Sequence, residues 1–448
     1  MNDSLLLTDH MVATAHECMA NETVKKLWSS FNLTLGDITI EEGDNCTFQL
    51  GAAPLPTLSA GQEYALRVDK TGAAITGRDP GGLLRGFFSL LLKIEHEGDR
   101  RFIRPVEEES AYTVRNRMIH ICVFPENDLY FIKKLIRLAA LCQYTHIVIE
   151  FWGTLQFDCM RELAWPGSIT KDQARQLVSQ CRQLGLQPIP MFNMFGHASG
   201  SRVGYGKHVV LDQNPALQRY FTPDGWSWDI REPLVPELFR QLRRELYEIF
   251  GQTEFFHIGF DEAYFYTQRP DLRAYIPDFL RRLTAEIVAE GRRPMLWMDM
   301  ILKRADYPPE YTAFGQEDAS EQLLAALPKE AVLVDWQYRV LEPPIRSSLF
   351  LKDKGHDLLV APWLKPDNYK ACVDTAADHD LYGIMLTTWH TLKFDIGGIL
   401  GCAKRCGARS FVWSVGRLKE ETATLLRRVS FEGNRYEDCG WSKTQIEI

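Results

Sequence analysis

Between about residues 112 and 400, short apolar runs alternate with longer stretches whose apolar positions recur every three to four residues. The runs Arg117–Phe124, Thr145–Phe151, Gln187–Phe192, Phe255–Gly259, Pro294–Trp297, Ala331–Trp336, Asp357–Ala361 and Gly383–Thr388 read as strands buried on both faces. Tyr130–Cys142, Lys171–Leu184, Pro236–Phe250, Asp271–Glu290, Glu321–Leu327, Ile345–Lys354, Pro366–Ala377 and a last stretch after Asp395 read as the helices between and after them. Eight strand-then-helix units in succession predict an α/β fold with a closed parallel sheet, a (β/α)8 barrel of the TIM type. A doubly wound open sheet would carry a glycine fingerprint after its first strand, and none is present. Upstream the pattern differs. Glu63–Val68 and Ala74–Gly77 alternate at period two around the turn Lys70-Thr71-Gly72, and Asp79-Pro80-Gly81-Gly82 opens a buried helix over Leu83–Ile94. This predicts a small α+β accessory domain over residues 1–110 and a barrel with a C-terminal extension over 111–448.

Composition narrows the class further. Of the 448 residues, 45% are hydrophobic and 25% charged, as in an ordinary globular chain that needs no metal or disulfide staple. The formal net charge of -8 comes without a basic stripe and argues against nucleic acid as a partner. No apolar stretch approaches 18 residues, so no membrane span is expected. The leading Met1–His10 lacks a basic region, and its three leucines are too short a run for an export signal. The ten cysteines are scattered without a CxxC pair, so reduced thiols and a cytoplasmic location are expected. Eleven tryptophans are the more pointed number, because sugars bind well against flat apolar faces.

The sharpest chemical feature is Phe255-Phe256-His257-Ile258-Gly259-Phe260-Asp261-Glu262-Ala263. It sets two adjacent carboxylates at the C-terminal end of the fourth strand, where barrel enzymes keep their active sites. Adjacent strand residues face opposite ways, so a pair serving one substrate has to sit where the pleat breaks, and Gly259 permits that. A bare Asp-Glu is usually a solvated pair; apolar flanks and the barrel mouth move Asp261 and Glu262 towards function. An insertion over about residues 193–233, rich in Gly, Asn and aromatics, would lie over the same mouth.

His257-Ile258-Gly259-Phe260-Asp261-Glu262 resembles the His-x-Gly-x-Asp-Glu signature of family 20 glycoside hydrolases, the β-N-acetylhexosaminidases. Other segments are similar in the right order. Tyr64 through Leu92 resembles the accessory domain before that family's barrel, and Arg117-Met118-Ile119-His120 its first strand. Met194-Phe195-Gly196-His197-Ala198 resembles the turn after its third strand. Phe-Gly-His there and the ending Leu386-Thr387-Thr388-Trp389 are most similar to the hexosaminidase D group. The resemblance spans about residues 60–400.

What it implies is an exo-acting hydrolase that removes terminal β-linked GlcNAc or GalNAc from an oligosaccharide or glycoconjugate, without cofactor or metal. Two-carboxylate glycosidases hold their acids about 5 Å or more apart across the sugar, whereas neighbouring Cα atoms are only about 3.8 Å apart. The resemblance resolves this through substrate assistance: the sugar's own acetamido oxygen attacks the anomeric carbon. Glu262 is then general acid and later base, with a proton affinity raised by apolar surroundings and the neighbouring anion, while Asp261 holds the acetamido N–H. His197 would bond to the catalytic acid, although an isolated histidine is more often structural, as His257 is read here. Trp297, Trp336 and Trp389 would box the acetamido group; each alone reads as core, but three at strand ends do not. Arg117, favoured over Arg115, would bind sugar hydroxyls, Asp299 matches an acidic residue of the hexosaminidase D group, and Trp363 could line the mouth.

Three departures accompany the resemblance. Ile149-Glu150-Phe151-Trp152 lacks the aspartate that completes a relay to His197, Cys122 stands where the first strand has Asp, and His390-Thr391 lacks an acid for the outer hydroxyls. They leave GlcNAc against GalNAc open. Rival readings are a sugar-binding protein on an inactive frame, a metal hydrolase using His120, His197, His257 and Asp261, and a retaining glycosidase with a protein nucleophile such as Glu317. The metal reading lacks a compact ligand set. Oligomeric state and the role of residues 431–448 have no reading in the sequence.

Overall fold

A computed structural model describes residues 3–33, 38–43, 45–110, 112–124, 127–164, 167–199, 211, 214–316, 319–389, 392 and 395–431. Strands Asn116–Cys122, His146–Glu150, Gln187–Met191, Phe255–His257, Arg293–Trp297, Val332–Trp336, Asp357–Ala361 and Gly383–Leu386 pair in chain order. The first also pairs with the last, parallel, through Met118 and Met385, and the sheet closes into the expected eight-stranded barrel. Alternation along each strand explains the continuous apolar runs. Met118, Val148, Ile189, Met191, Met295 and Trp297 fill the inside, while Ile119, Ile147, Leu296 and Leu333 face the helical layer.

Helix Leu129–Leu141 starts where Asp128 accepts the Phe131 N–H, and Lys171–Gln183 starts with a reciprocal Thr170/Gln173 capping box. The stretch expected as one helix over Asp271–Glu290 is two, Pro270–Arg273 and Ile276–Ala289. Pro277 explains the restart: it has no N–H to donate and suits a first turn.

The N-terminal region contains a six-stranded sheet in the order Ile38–Glu42, Met11–Ala15, Thr47–Gly51, Gly72–Gly77, Tyr64–Asp69, Val106–Glu109. Helix Pro80–Leu91 covers it, with Phe87 packed against Trp28 and Phe48. Two of the longer helices were not expected. Glu22–Asn32 is capped by Asn21, and Val415–Arg428 packs against both it and Leu129–Leu141. Residues 432–448, with Trp441, lie outside the described residues. No helix among the described residues is long and apolar enough to cross a membrane.

Candidate active site

The fourth barrel strand ends at His257, and the chain then leaves the pleat through positive φ at Gly259 (72°), Phe260 (86°) and Glu262 (51°). A Cβ on Gly259 would lie 2.4 Å from Asn193 Oδ1, so backbone angle and space both require glycine there. That break lets consecutive carboxylates share the mouth. The turn after the third strand packs directly beneath. A Cβ on Gly196 would meet the Asp261 carbonyl oxygen at 1.8 Å, and the next residue, His197, is itself at φ 51°. Residues of two loops are thus locked backbone to backbone. His197 Nε2 lies 2.9 Å from Glu262 Oε2 and 3.4 Å from Asp261 Oδ2, one imidazole within reach of both acids.

The Glu262 backbone is held from both sides. Its N–H donates to Asp299 Oδ2 at 2.8 Å, and its carbonyl accepts the Trp226 indole N–H at 2.7 Å and the Tyr264 N–H at 2.8 Å. Asp261 is 4% exposed, whereas the Glu262 side chain keeps 21% of its surface open. The acid therefore faces solvent and the aspartate faces the protein. Burial and the Glu262 carboxylate together push the Tyr264 phenol far above its ordinary range. Asp299 is fully buried, and burial, then the charge of Asp261, raises its carboxyl well above the usual value despite its N–H donors.

These residues open onto a cavity of about 780 Å³. One wall runs through Trp336, Tyr338 and Trp363, with ring centroids 5.0 and 5.1 Å apart, and Trp389 donates its indole N–H to the Tyr338 hydroxyl at 3.1 Å. The facing group is Trp226 stacked on Tyr264, whose ring meets Phe314 edge-on. Apart from Asp261 and Glu262, the carboxylate lining the cavity among the described residues is Glu310, exposed at the rim.

The structure thus gathers Asp261, Glu262, His197, Trp336, Trp389 and Trp363 at one cavity. Trp297 sits lower, 1% exposed in the barrel interior, with its ring against His257, His120 and Trp389 at 4.6, 6.0 and 6.0 Å. Asp299 does not line the cavity either; it stands behind Glu262 and accepts the Trp336 indole N–H at 3.0 Å.

Arg117 requires a correction. It is the second residue of its strand, at the end opposite the mouth, and is 1% exposed. Its guanidinium bonds both Glu63 oxygens at 2.9 and 3.0 Å, donates to the Gln143 carbonyl and lies 3.7 Å over the Tyr112 ring. Arg117 ties the accessory region to the barrel floor, where no sugar at the mouth reaches it. Burial pushes the Glu63 carboxyl up, but Arg117 and Arg85 outweigh it and hold it below its ordinary range.

Trp226, Tyr264, Tyr338 and Phe314 were missed. Tyr264 and Tyr338 stand two residues beyond Glu262 and Trp336, a spacing that could have flagged them. Trp226 belongs to the aromatic-rich insertion, whose residues 200–210 and 212–213 lie outside the described set. Glu150, where the relay aspartate is absent, is fully buried and 3.0 Å from His120 Nε2. Glu317, His390 and Thr391 lie outside the described residues. Among those described, no group of three His, Cys, Asp or Glu side chains is placed to hold a metal ion.

Residues 153–363 match the glycosyl hydrolase family 20 catalytic domain. Comparison of the sequence with curated proteins returns no match. Among solved structures, a chitobiase from Flavobacterium johnsoniae superposes with TM-score 0.68 at 15% identity, covering 99% of this chain and 72% of the other. An exo-β-N-acetylglucosaminidase from Vibrio harveyi, solved with N-acetylglucosamine, gives 0.68 at 13% identity over 96% and 75%. A β-N-acetylhexosaminidase from Streptomyces coelicolor gives 0.65 at 14% identity over 98% and 94%. Identities this low establish a common fold.

Proposed function

We propose that this glycoside hydrolase, whose residues 153–363 match the family 20 catalytic domain, is an exo-acting β-N-acetylhexosaminidase removing terminal β-linked GlcNAc or GalNAc with retention. The observation that carries this reading is the side-by-side placement of Asp261 and Glu262 around one imidazole. Two carboxylates on one rim cannot flank a glycosidic bond from opposite faces, which a protein nucleophile or a protein-activated water requires. The substrate's acetamido oxygen fills that role.

The acetamido carbonyl oxygen attacks the anomeric carbon as Glu262 gives its proton to the departing oxygen, and an oxazolinium ring forms. Asp261 accepts the acetamido N–H and offsets the ring's positive charge. Water then attacks the same carbon, Glu262 takes its proton, and the ring opens to the free sugar with its configuration retained. His197, 2.9 Å from Glu262, steadies the carboxylate between these roles. Trp336, Tyr338 and Trp389 supply the flat, apolar surface against the acetamido methyl, and the sugar bound to the Vibrio protein is of the matching class. Free thiols among the described residues suit the reducing cytoplasm this reading assumes.

The test is a pair of variants. Glu262→Gln abolishes hydrolysis of aryl β-GlcNAc, whereas Asp261→Asn impairs only substrates that carry the acetamido group. Equal losses for Asp261→Asn on an activated glycoside lacking that group would refute the assigned roles. One observation favours an alternative, a sugar-binding frame of impaired activity: Arg117, expected to bind sugar hydroxyls, lies buried at the barrel floor and bonded to Glu63. Binding of N-acetylglucosamine without turnover would establish it.

A further inference from the structure

We propose that Asp299 is the positioning residue of the general acid, fixing the left-handed backbone of Glu262 and the wall tryptophan Trp336 with one carboxylate. The proposal rests on Glu262 being that acid. A non-glycine residue at φ 51° holds an uncommon conformation that persists only where its surroundings determine it. Around Glu262 those surroundings are few and specific. Its carbonyl is held by Trp226 and Tyr264, but its N–H has a side-chain acceptor, Asp299 Oδ2 at 2.8 Å. The other oxygen, Oδ1, takes the Trp336 indole N–H at 3.0 Å, and the Asp299 carbonyl accepts the Phe314 N–H at 2.6 Å.

The residue is itself immobile. Asp299 follows strand Arg293–Trp297 by two positions, is 1% exposed, and cannot leave its place without stranding two buried donors. It does not line the cavity, so a sugar in the pocket meets Glu262 and Trp336 but not the carboxylate that aims them. One group thereby couples the angle of the acid to the position of the wall. Burying a third carboxyl beside Asp261 and Glu262 is unfavourable, and its raised proton affinity reflects that. An apolar residue at this position could not accept the two N–H bonds that the Asp299 carboxylate accepts.

A displaced general acid has a signature that general destabilisation lacks. Protonation matters for a poor leaving group and little for one that departs unaided. The experiment compares kcat/KM for methoxyphenyl and dinitrophenyl β-GlcNAc in wild type, Asp299→Asn and Asp299→Ala. Asp299→Ala is expected to lose roughly tenfold or more on the methoxyphenyl substrate relative to the dinitrophenyl one, with Asp299→Asn between it and wild type. The ratio of the two constants cancels the fraction of folded enzyme, so a poorly folding variant still gives a reading. An unchanged ratio in Asp299→Ala overturns the proposal. Glu262→Gln, assayed alongside, separates the two readings: wild-type activity on the methoxyphenyl substrate in that variant would overturn the assignment of the acid itself.

Discussion

Replacing Gly196 by alanine is the most economical disturbance of the site. The position touches no substrate, yet its Cβ would stand 1.8 Å from the Asp261 carbonyl oxygen. Backbone cannot rotate aside as a long side chain does. Non-bonded carbon and oxygen settle a little over 3 Å apart, so the two turns must separate by about 1.5 Å. His197 adjoins Gly196, and its 2.9 Å contact with Glu262 is stretched beyond hydrogen-bonding range. A misplacement of about 1 Å costs on the order of 100-fold in rate, and overpacking costs roughly 1–3 kcal/mol in stability. The assay is kcat/KM on an aryl β-GlcNAc beside a urea unfolding curve. Gly196→Ala should lose about 100-fold in kcat/KM while remaining folded at assay temperature. Wild-type activity in a folded Gly196→Ala protein would refute the claim that the two turns are locked to each other.

Other expectations concern the barrel floor and the pocket wall. Arg117→Met removes the partner of Glu63, which keeps Arg85, and should destabilise by about 3 kcal/mol in chemical denaturation. Its kcat/KM per folded molecule should stay at the wild-type value; a specific loss of activity would return Arg117 to sugar recognition. Glu63 has a folded-state proton affinity below its ordinary 4.5, so its stabilisation is present above that pH and lost as pH falls below it. The stability difference between wild type and Glu63→Gln should therefore shrink on acidification below about 4.5, and a difference that grows would contradict the pairing. Tyr338→Phe removes the acceptor of the Trp389 indole N–H. It should raise KM for acetamido sugars severalfold, an effect that inhibition by free N-acetylglucosamine can check independently.

Much of this architecture was legible because a barrel strand is short and buried on both faces. Asp357–Ala361 coincides with its sequence reading, and Val332–Trp336 and Arg293–Trp297 differ from theirs by one residue. Asp261 and Glu262 were legible as a motif and as a strand end. Arg117 was assigned to the sugar by the resemblance alone, although the strand reading Arg117–Phe124 already put it at the end away from the mouth. Arg117 is the second residue of that strand, five positions before its C-terminal end at Cys122. Helix Glu22–Asn32 went unread, although Asn21 caps it by accepting the Val24 N–H. Helix Val415–Arg428 buries only Leu418, Thr422 and Leu425, too thin a stripe to stand out in a polar segment. Trp226 donates to the Glu262 carbonyl from a segment between the third and fourth strands where no periodicity marks it.

The most direct measurement is hydrolysis of p-nitrophenyl β-GlcNAc, β-GalNAc and β-glucoside by the wild-type protein. Turnover of either acetamido sugar with none of the glucoside is the expected result, and the faster of the two identifies the preferred sugar. Glucoside turnover equal to or above both would contradict substrate assistance, because that sugar has no acetamido oxygen to attack with.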